Sequence, residues 1–269
     1  MKKNPTMLSI IMWLLLLALP VWSQEKADEA AELAKKLSNP IANLISLPIQ
    51  YNLDFGIGPA DAKRHFLNVQ PVIPFSLNSE WNLITRTIVP LVYAEAPAAG
   101  LDDHSGLGDI VQSFFLSPVK SIGGGWITGA GPVFLYPSAT DSSLGSKKWG
   151  AGPTAVLLKQ HSGWTYGMLA NHIWSFAGND DYKDISNTFL QPFLAYTTKT
   201  YTTFTVNTES VYDWKAEQWT VPVNLLVSQL VKIGGVPLQF QLGGRYYFDK
   251  PDGGPDWGLR FAVTFMFPK

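Results

Sequence analysis

The chain has 269 residues, of which 46% are hydrophobic and only 15% are charged, and its formal net charge is −1. A typical soluble domain carries roughly 25% charged residues, so the composition disfavours a water-soluble enzyme, and the balanced charge disfavours a nucleic-acid partner. The sequence contains no cysteine, which excludes disulfides, thiolate metal sites and cysteine nucleophiles.

The first 23 residues have the features of a signal peptide. Lys2 and Lys3 provide a positive start, residues 8–20 form an apolar stretch, and small residues near Ser23 provide a cleavage site. The apolar stretch is shorter than the roughly 20 residues that a helix needs to cross a bilayer. A cleaved signal peptide is therefore favoured over a retained membrane anchor.

Residues 24–38 predict a short helix that precedes the main body of the protein. Acidic residues lie near its beginning and Lys35 and Lys36 near its end, an order that suits the helix dipole. We expect a solvated periplasmic leader helix. The alternative is that Leu33 and Leu37, which share one face, bind a partner.

From residue 39 onward, apolar and polar side chains alternate with a period of two, which predicts β-strands with two different faces. In the last such segment, Trp257, Leu259 and Phe261 share one face, and Gly258 and Arg260 take the other. The pattern predicts twelve strands, near residues 43–56, 64–75, 80–93, 107–117, 125–136, 149–159, 164–174, 187–198, 201–214, 217–231, 236–248 and 257–267.

The connections between these segments alternate between long loops and tight turns, which is typical of a barrel with one outer and one inner rim. A sheet edge in hydrocarbon would leave backbone groups unpaired, so the sheet must close. We therefore predict an all-β fold, a closed antiparallel transmembrane β-barrel of about 12 strands, formed by residues 39–269 in the cell outer membrane. The alternative is a soluble β-sandwich whose aromatic side chains fill a core. Prolines within the segments predict bulges or kinks.

Several stretches, among them LNVQPVIPFSLN, GLGDIVQSFFLSP and GGPDWGLRFAVTFMFPK, resemble a bacterial outer-membrane barrel family labelled "putative meta-pathway of phenol degradation". Its members are also called transporters or neuromedin U. The resemblance covers residues 37–269. It implies a barrel in Gram-negative outer membranes and the passage of small solutes, with aromatic compounds as candidates, and it carries over no catalytic residues. One departure is that Pro268 and Lys269 follow Phe267, whereas many outer-membrane proteins end on Phe.

Polar side chains on the predicted inward faces would line the lumen. Arg245 and Arg260 fall near the outer ends of neighbouring strands, with Asp54 at a similar height, while Glu209 and Arg86 fall nearer mid-height. These charges either form a constriction that selects solutes or neutralise each other and brace the wall of a filled barrel. The predicted lining residues are Gln50, Asn52, Asp54, Arg86, Asn207, Glu209, Asp213, Asn224, Gln239, Gln241, Arg245 and Arg260.

The sequence thus predicts a porin-like outer-membrane channel for passive passage of small solutes, with aromatic or hydrophobic compounds as candidates. Outer-membrane lipid and a small-molecule solute are the expected partners, and no nucleic acid or cofactor is expected. The pattern identifies neither the solute nor the oligomeric state. A plugged structural or adhesion barrel remains an alternative.

A lipid hydrolase on the outward wall is a further alternative, because such chemistry needs Ser and His on one face. His172 is followed at the matching position by Trp174, and Ser175 projects to the other side of a regular strand, so the pattern disfavours an enzyme. The other histidines, His65, His104 and His161, are scattered without ligand spacing, so no metal site is expected.

Overall fold

The computed structural model describes residues 24–268, so the predicted signal peptide lies outside the described residues. Helix α1 spans Gln24–Leu37, close to the predicted bounds of residues 24–38. None of the helical structure within residues 24–268 combines the length and apolarity that a membrane-spanning helix requires.

Twelve antiparallel strands follow α1 in chain order, each near a predicted segment. Strands β2, β4 and β9 each consist of two pieces. The strands are β1 (Ile45–Ile57), β2 (Ala62–Val69 and Val72–Ser76), β3 (Trp81–Ala94), β4 (His104–Leu107 and Ile110–Pro118), β5 (Trp126–Tyr136), β6 (Lys148–His161), β7 (Trp164–Gly178), β8 (Ser186–Thr197), β9 (Thr202–Thr208 and Ser210–Asp213), β10 (Gln218–Ile233), β11 (Val236–Asp249) and β12 (Trp257–Phe267).

The sheet closes on itself, because each strand pairs with the next and β1 also pairs with β12. The closing ladder runs from Ile45 opposite Phe267 to Phe55 opposite Trp257. No edge strand therefore remains within the part of the chain described. This confirms the predicted closed barrel of 12 antiparallel strands.

Large apolar side chains cover the outside of the barrel. Phe248, Phe176 and Leu225 are 69%, 67% and 66% exposed, respectively. Aromatic side chains gather at the strand ends, for example Phe55 and Trp257, whose rings stack 4.3 Å apart. An apolar outer surface with aromatic rings near both rims suits lipid rather than water. The alternative of a soluble sandwich is therefore wrong, because the apolar faces point outward instead of towards each other.

Prolines coincide with local irregularities, as the sequence predicts. The break in β2 includes Pro71, and the register between β10 and β11 shifts at Val221 and Pro222. Proline cannot donate to the ladder, which explains why pairing is interrupted at these positions.

The expectation that α1 is a solvated helix outside the main body is wrong. Ala30 and Ala34 are fully buried, and with Leu33 they pack against Leu230 and Met266, which project inward at the short-turn end of the barrel. The helix docks because its narrow apolar stripe covers apolar side chains that would otherwise face the open lumen. The helix therefore lies at the short-turn mouth of the barrel.

The segment after α1 enters the barrel. Ile41 is 3% exposed and packs inside with Ile84, Phe115, Leu158 and Leu169. The N-terminal segment thus contributes to an apolar core in the short-turn half of the lumen.

Candidate functional site

A cavity of about 700 Å³ runs inside the barrel alongside this core, and the N-terminal segment borders it through residues that include Leu37, Pro40 and Leu44. One wall is polar and charged, and the other is mostly apolar. Polar lining residues include Gln50, Asn68, Gln70, Arg86, Asn207, Glu209, Gln239, Gln241 and Arg260, and apolar ones include Ile88, Val111, Leu135, Leu169, Ile173, Phe189 and Phe193.

Glu209 joins three strands of the polar wall. It occupies the break between the two pieces of β9. Its Oε1 accepts a hydrogen bond of 2.9 Å from Arg260 Nη1, and its Oε2 accepts bonds of 2.7 Å from Arg260 Nη2 and 2.9 Å from Arg245 Nη2. The bidentate pair with Arg260 fixes the orientation of both planar groups.

Asp54 forms a second anionic centre towards the long-loop end. It is fully buried, and its Oδ2 accepts a hydrogen bond of 3.0 Å from the Tyr247 hydroxyl. Arg245 Nη1 lies 3.5 Å from Oδ1, and Arg64 Nη2 lies 3.6 Å from Oδ2. Arg245 thus bridges the two carboxylates.

Amide side chains hold the guanidinium groups in place from behind. Arg260 Nε donates to Asn52 Oδ1 at 2.7 Å, and Arg245 Nε donates to Asn224 Oδ1 at 3.2 Å. Asn224 in turn donates to Asn207 Oδ1 at 2.7 Å. Such second contacts fix a side chain that a charge pair alone would leave free to rotate.

Arg86 differs from the other arginines of this wall. Its Nη2 donates to Gln70 Oε1 at 3.0 Å, and it interacts electrostatically with Glu209 and Arg260. Within residues 24–268 it forms no ion pair with a carboxylate, whereas Arg64, Arg245 and Arg260 each do. Arg86 therefore presents donors to the cavity that other side chains leave unused.

The structure brings most of the predicted lining residues together in one network. Glu209, expected at a different height from Arg245 and Arg260, contacts both of them. The cavity itself is bordered by Gln50, Arg86, Asn207, Glu209, Gln239, Gln241 and Arg260, while Asn52, Asp54, Asn224 and Arg245 lie in the supporting network.

The remaining predicted lining residue, Asp213, is not among the residues that border the cavity. Asp213 ends β9, and its Oδ1 accepts hydrogen bonds from the backbone N–H groups of Lys215 and Ala216 at 2.8 and 3.1 Å. The carboxylate therefore stabilises the following turn, a common role for Asp at the start of a tight turn.

The sequence did not reveal Arg64 and Tyr247 as partners of Asp54, Gln70 as the partner of Arg86, or the apolar wall of the cavity. Phe189 and Phe193 project inward from β8, whose outward face is also partly apolar. A strand that is apolar on both faces gives no alternation from which to assign its sides. Arg64 could have been found, because the register of β1 and β2 places it opposite Asp54.

His172 has a hydroxyl partner on the outward wall that the sequence did not reveal. Ser186, from the neighbouring strand, places its Oγ 3.4 Å from His172 Nε2, and Thr188 Oγ1 lies 2.7 Å from His172 Nδ1. Acyl transfer also needs N–H donors directed at the substrate oxygen. The nearby Trp214 N–H instead donates to Thr188 at 2.8 Å. The arrangement is a hydrogen-bonded cluster at the long-loop end.

Loop carboxylates surround the long-loop mouth. Hydrogen bonds from the Ser143 hydroxyl and N–H, with a further contact to His104, lower the pKa of Asp141 to about 2. Lys148 Nζ lies 3.1 Å from Asp184 and, with a hydrogen bond from Ser175, lowers the pKa of that carboxyl. In the described part of the chain, no three His, Asp or Glu side chains converge as metal ligands would.

Neither a family model nor a curated protein matches this chain. Among solved structures, it is similar to the COG4313 outer membrane channel from Pseudomonas putida F1, with 16% identity over 84% of this chain and 96% of that chain and a TM-score of 0.66. It is also similar to the KdgM porin in complex with disordered oligogalacturonate, with 11% identity over 83% and 99% of the two chains and a TM-score of 0.44. A third similar structure is outer membrane phospholipase A from Escherichia coli, with 11% identity over 90% and 98% and a TM-score of 0.49.

At such identities the similarity to the Pseudomonas channel establishes the fold and nothing finer. The resemblance to the phenol-degradation family stays a prediction from sequence motifs. The chain has the fold of a 12-stranded outer-membrane β-barrel.

Proposed function

We propose that this protein is an outer-membrane channel for the passive passage of small solutes, with aromatic and hydrophobic compounds as candidates. The observation that carries the proposal is the cavity of about 700 Å³ inside the closed barrel, with a charged wall facing an apolar one. A signal peptide in residues 1–23 and residence in the outer membrane belong to the same proposal.

The apolar wall supports this choice of solute. Contact with Phe189 and Phe193 removes apolar surface of a solute from water, which is worth about 25 cal/mol per Å². A small ring buries enough area to bind weakly, and a channel requires binding that is weak enough to permit release.

The N-terminal segment occupies the short-turn mouth, which we assign to the periplasmic side, as in other outer-membrane barrels. Few polar contacts tether α1 to the barrel, among them Lys232 Nζ 3.3 Å from Glu29 and Gln160 Nε2 donating to the Lys35 carbonyl at 2.8 Å. Passage through this mouth therefore involves displacement of α1. The alternative, a permanently plugged structural barrel, draws support from the buried position of Ile41.

Single-channel recording of the purified protein in planar bilayers tests the proposal. Leu33→Asp places a charge on the buried face of α1, so we expect more frequent or larger openings than in the wild type. Ala31→Asp is the matched control, because Ala31 is exposed on the same helix, and we expect it to behave like the wild type. Silence in both the wild type and Leu33→Asp, with folded barrels confirmed by heat-modifiable gel mobility, would overturn the channel and favour the plugged barrel.

A further inference from the structure

All four arginines of the sequence lie on the inward polar wall. The chain contains many more lysines, and none of those within residues 24–268 pairs with Asp54 or Glu209. Arginine presents a planar fork that matches a carboxylate with two parallel hydrogen bonds, whereas lysine presents a point charge. The exclusive use of arginine here indicates a wall suited to planar anions.

The wall carries more positive than negative charge. The guanidinium groups of Arg64, Arg245 and Arg260 share the two carboxylates of Asp54 and Glu209, and Arg86 adds a fourth guanidinium that has no ion pair within residues 24–268. Two positive charges are therefore uncompensated by the network. In a narrow lumen with little water, unbalanced charge favours entry of an ion of the opposite sign.

The excess charge has a definite location. Arg245 and Arg260 contact carboxylates directly, and Arg64 shares Asp54 near the mouth, where its side chain is 38% exposed. Arg86 lies on the cavity, and its hydrogen-bond partner within residues 24–268 is the neutral Gln70. An anion that enters past Arg64 thus finds the unused donors of Arg86 deeper in the lumen.

The same cavity also has an apolar side. Ile88, Val111, Leu169, Phe189 and Phe193 border it. A volume of about 700 Å³ lies within the range of about 300–1,000 Å³ that is usual for small-molecule sites. A ligand that satisfies both walls has a planar anionic group at one end and a compact apolar body at the other.

We propose that the cavity binds small organic monocarboxylates with an aromatic or branched apolar body, the carboxylate on Arg86 and the apolar body against Phe189 and Phe193. This inference rests on the proposed channel function, since the solute must reach the cavity through the lumen. It adds the charge of the solute, which the channel function alone leaves open.

The test measures equilibrium binding of three compounds of similar size to the purified protein in detergent at pH 7: benzoate, benzyl alcohol and benzylammonium. We expect benzoate to bind at least about tenfold more tightly than the other two, because a hydrogen bond to a charged group contributes at least about one tenfold step in affinity. Equal binding of all three would overturn the inference.

Substitutions of Arg86 test whether this residue is responsible for the tighter binding of benzoate. Arg86→Gln is expected to lower benzoate affinity about tenfold and to leave benzyl alcohol binding unchanged. Arg86→Lys retains the charge without the fork and is expected to fall between Arg86→Gln and the wild type. Lys183→Gln removes an exposed loop charge and serves as the matched control, with wild-type affinity expected. Unchanged benzoate affinity in Arg86→Gln would overturn the assignment.

Bilayer recording separates this inference from the channel function. Conductance without preference for benzoate would remove the inference and leave the channel standing. Benzoate binding that depends on Arg86 in a barrel that never conducts would remove the channel and leave a binding site.

Discussion

The two halves of the lumen are stabilised by different interactions. The polar half is the wall built from β9–β12 and β1–β3, and ion pairs and amide hydrogen bonds around Glu209 and Asp54 stabilise it. The short-turn half is held by apolar packing of Ile84, Phe115 and Leu158 around Ile41. Apolar packing is non-directional, whereas the polar network requires defined geometry at every donor and acceptor.

In one half of the lumen, stability can be changed without changing the charge that a solute meets, and in the other half it cannot. Changes in the apolar half alter packing and leave the charge of the lumen untouched. Changes in the polar half alter both, because its buried charged groups border the cavity, as Glu209 and Arg260 do, or pair with those that do.

The largest loss of stability is expected for Glu209→Gln. Removing this charge leaves Arg245 and Arg260 largely buried without their shared partner, and breaking a buried ion pair costs about 3–5 kcal/mol. Urea unfolding in phospholipid vesicles measures the loss. Glu80→Gln, at an exposed turn, is the control and should remain within about 0.5 kcal/mol of the wild type.

A double variant shows whether the loss arises from unpaired charge. Glu209→Gln combined with Arg260→Gln removes one uncompensated guanidinium, so we expect it to be more stable than Glu209→Gln alone. Additive destabilisation by the two changes would contradict a shared network.

A somewhat smaller loss is expected in the apolar half for Leu158→Ala. Leu158 is fully buried, and truncation of such a side chain costs about 2–5 kcal/mol through lost burial and the resulting cavity. Leu158→Met conserves volume and should cost less than about 1.5 kcal/mol. Neither change should alter the anion-to-cation permeability ratio. A changed ratio would show that the two halves are coupled.

Asp54→Asn tests the charge of the polar half separately from its packing, because it removes a charge with little change in the shape of the side chain. It removes one of the two carboxylates of the polar wall while an oxygen remains to accept from Tyr247. One charge acting across a narrow lumen is worth on the order of 1 kcal/mol, so we expect the anion-to-cation permeability ratio to rise about fivefold. Reversal potentials in a salt gradient measure it, with Asp252→Asn on an exposed loop as the control. A fall in the ratio would contradict the charge balance assigned to this wall.

The barrel was predictable because each strand repeats its pattern locally. Period-two alternation marks a strand whose faces contact lipid and lumen, and long and short connections alternate with the two rims. The inward position of Asn52 and Arg260 follows from the same parity. The break in β9 at Glu209 and the partners of that side chain were less predictable, because alternation indicates only which face a residue takes.

The docking of α1 was not predictable, because it depends on two distant parts of the chain. The apolar stripe of α1 that contains Leu33 is narrow. The side chains that it packs against, Leu230 and Met266, project inward near the ends of their strands. Only the closed barrel brings these side chains to one mouth. Contacts across a lumen likewise depend on barrel diameter and stagger, which local alternation does not encode.

The smallest effect is expected at the long-loop mouth, outside both halves of the lumen, for Asp141→Asn. Folding lowers the pKa of Asp141 from its ordinary value of 3.8 to about 2, through hydrogen bonds from Ser143 and the nearby His104. Because the folded state favours the charged carboxylate, this group stabilises the protein above about pH 4, and the contribution disappears as the pH falls towards 2. Urea midpoints should therefore be lower for Asp141→Asn than for the wild type at pH 6 and should converge at pH 2. Asp102→Asn in an exposed loop is the control, and a difference that persists unchanged down to pH 2 would show that Asp141 acts through packing instead of charge.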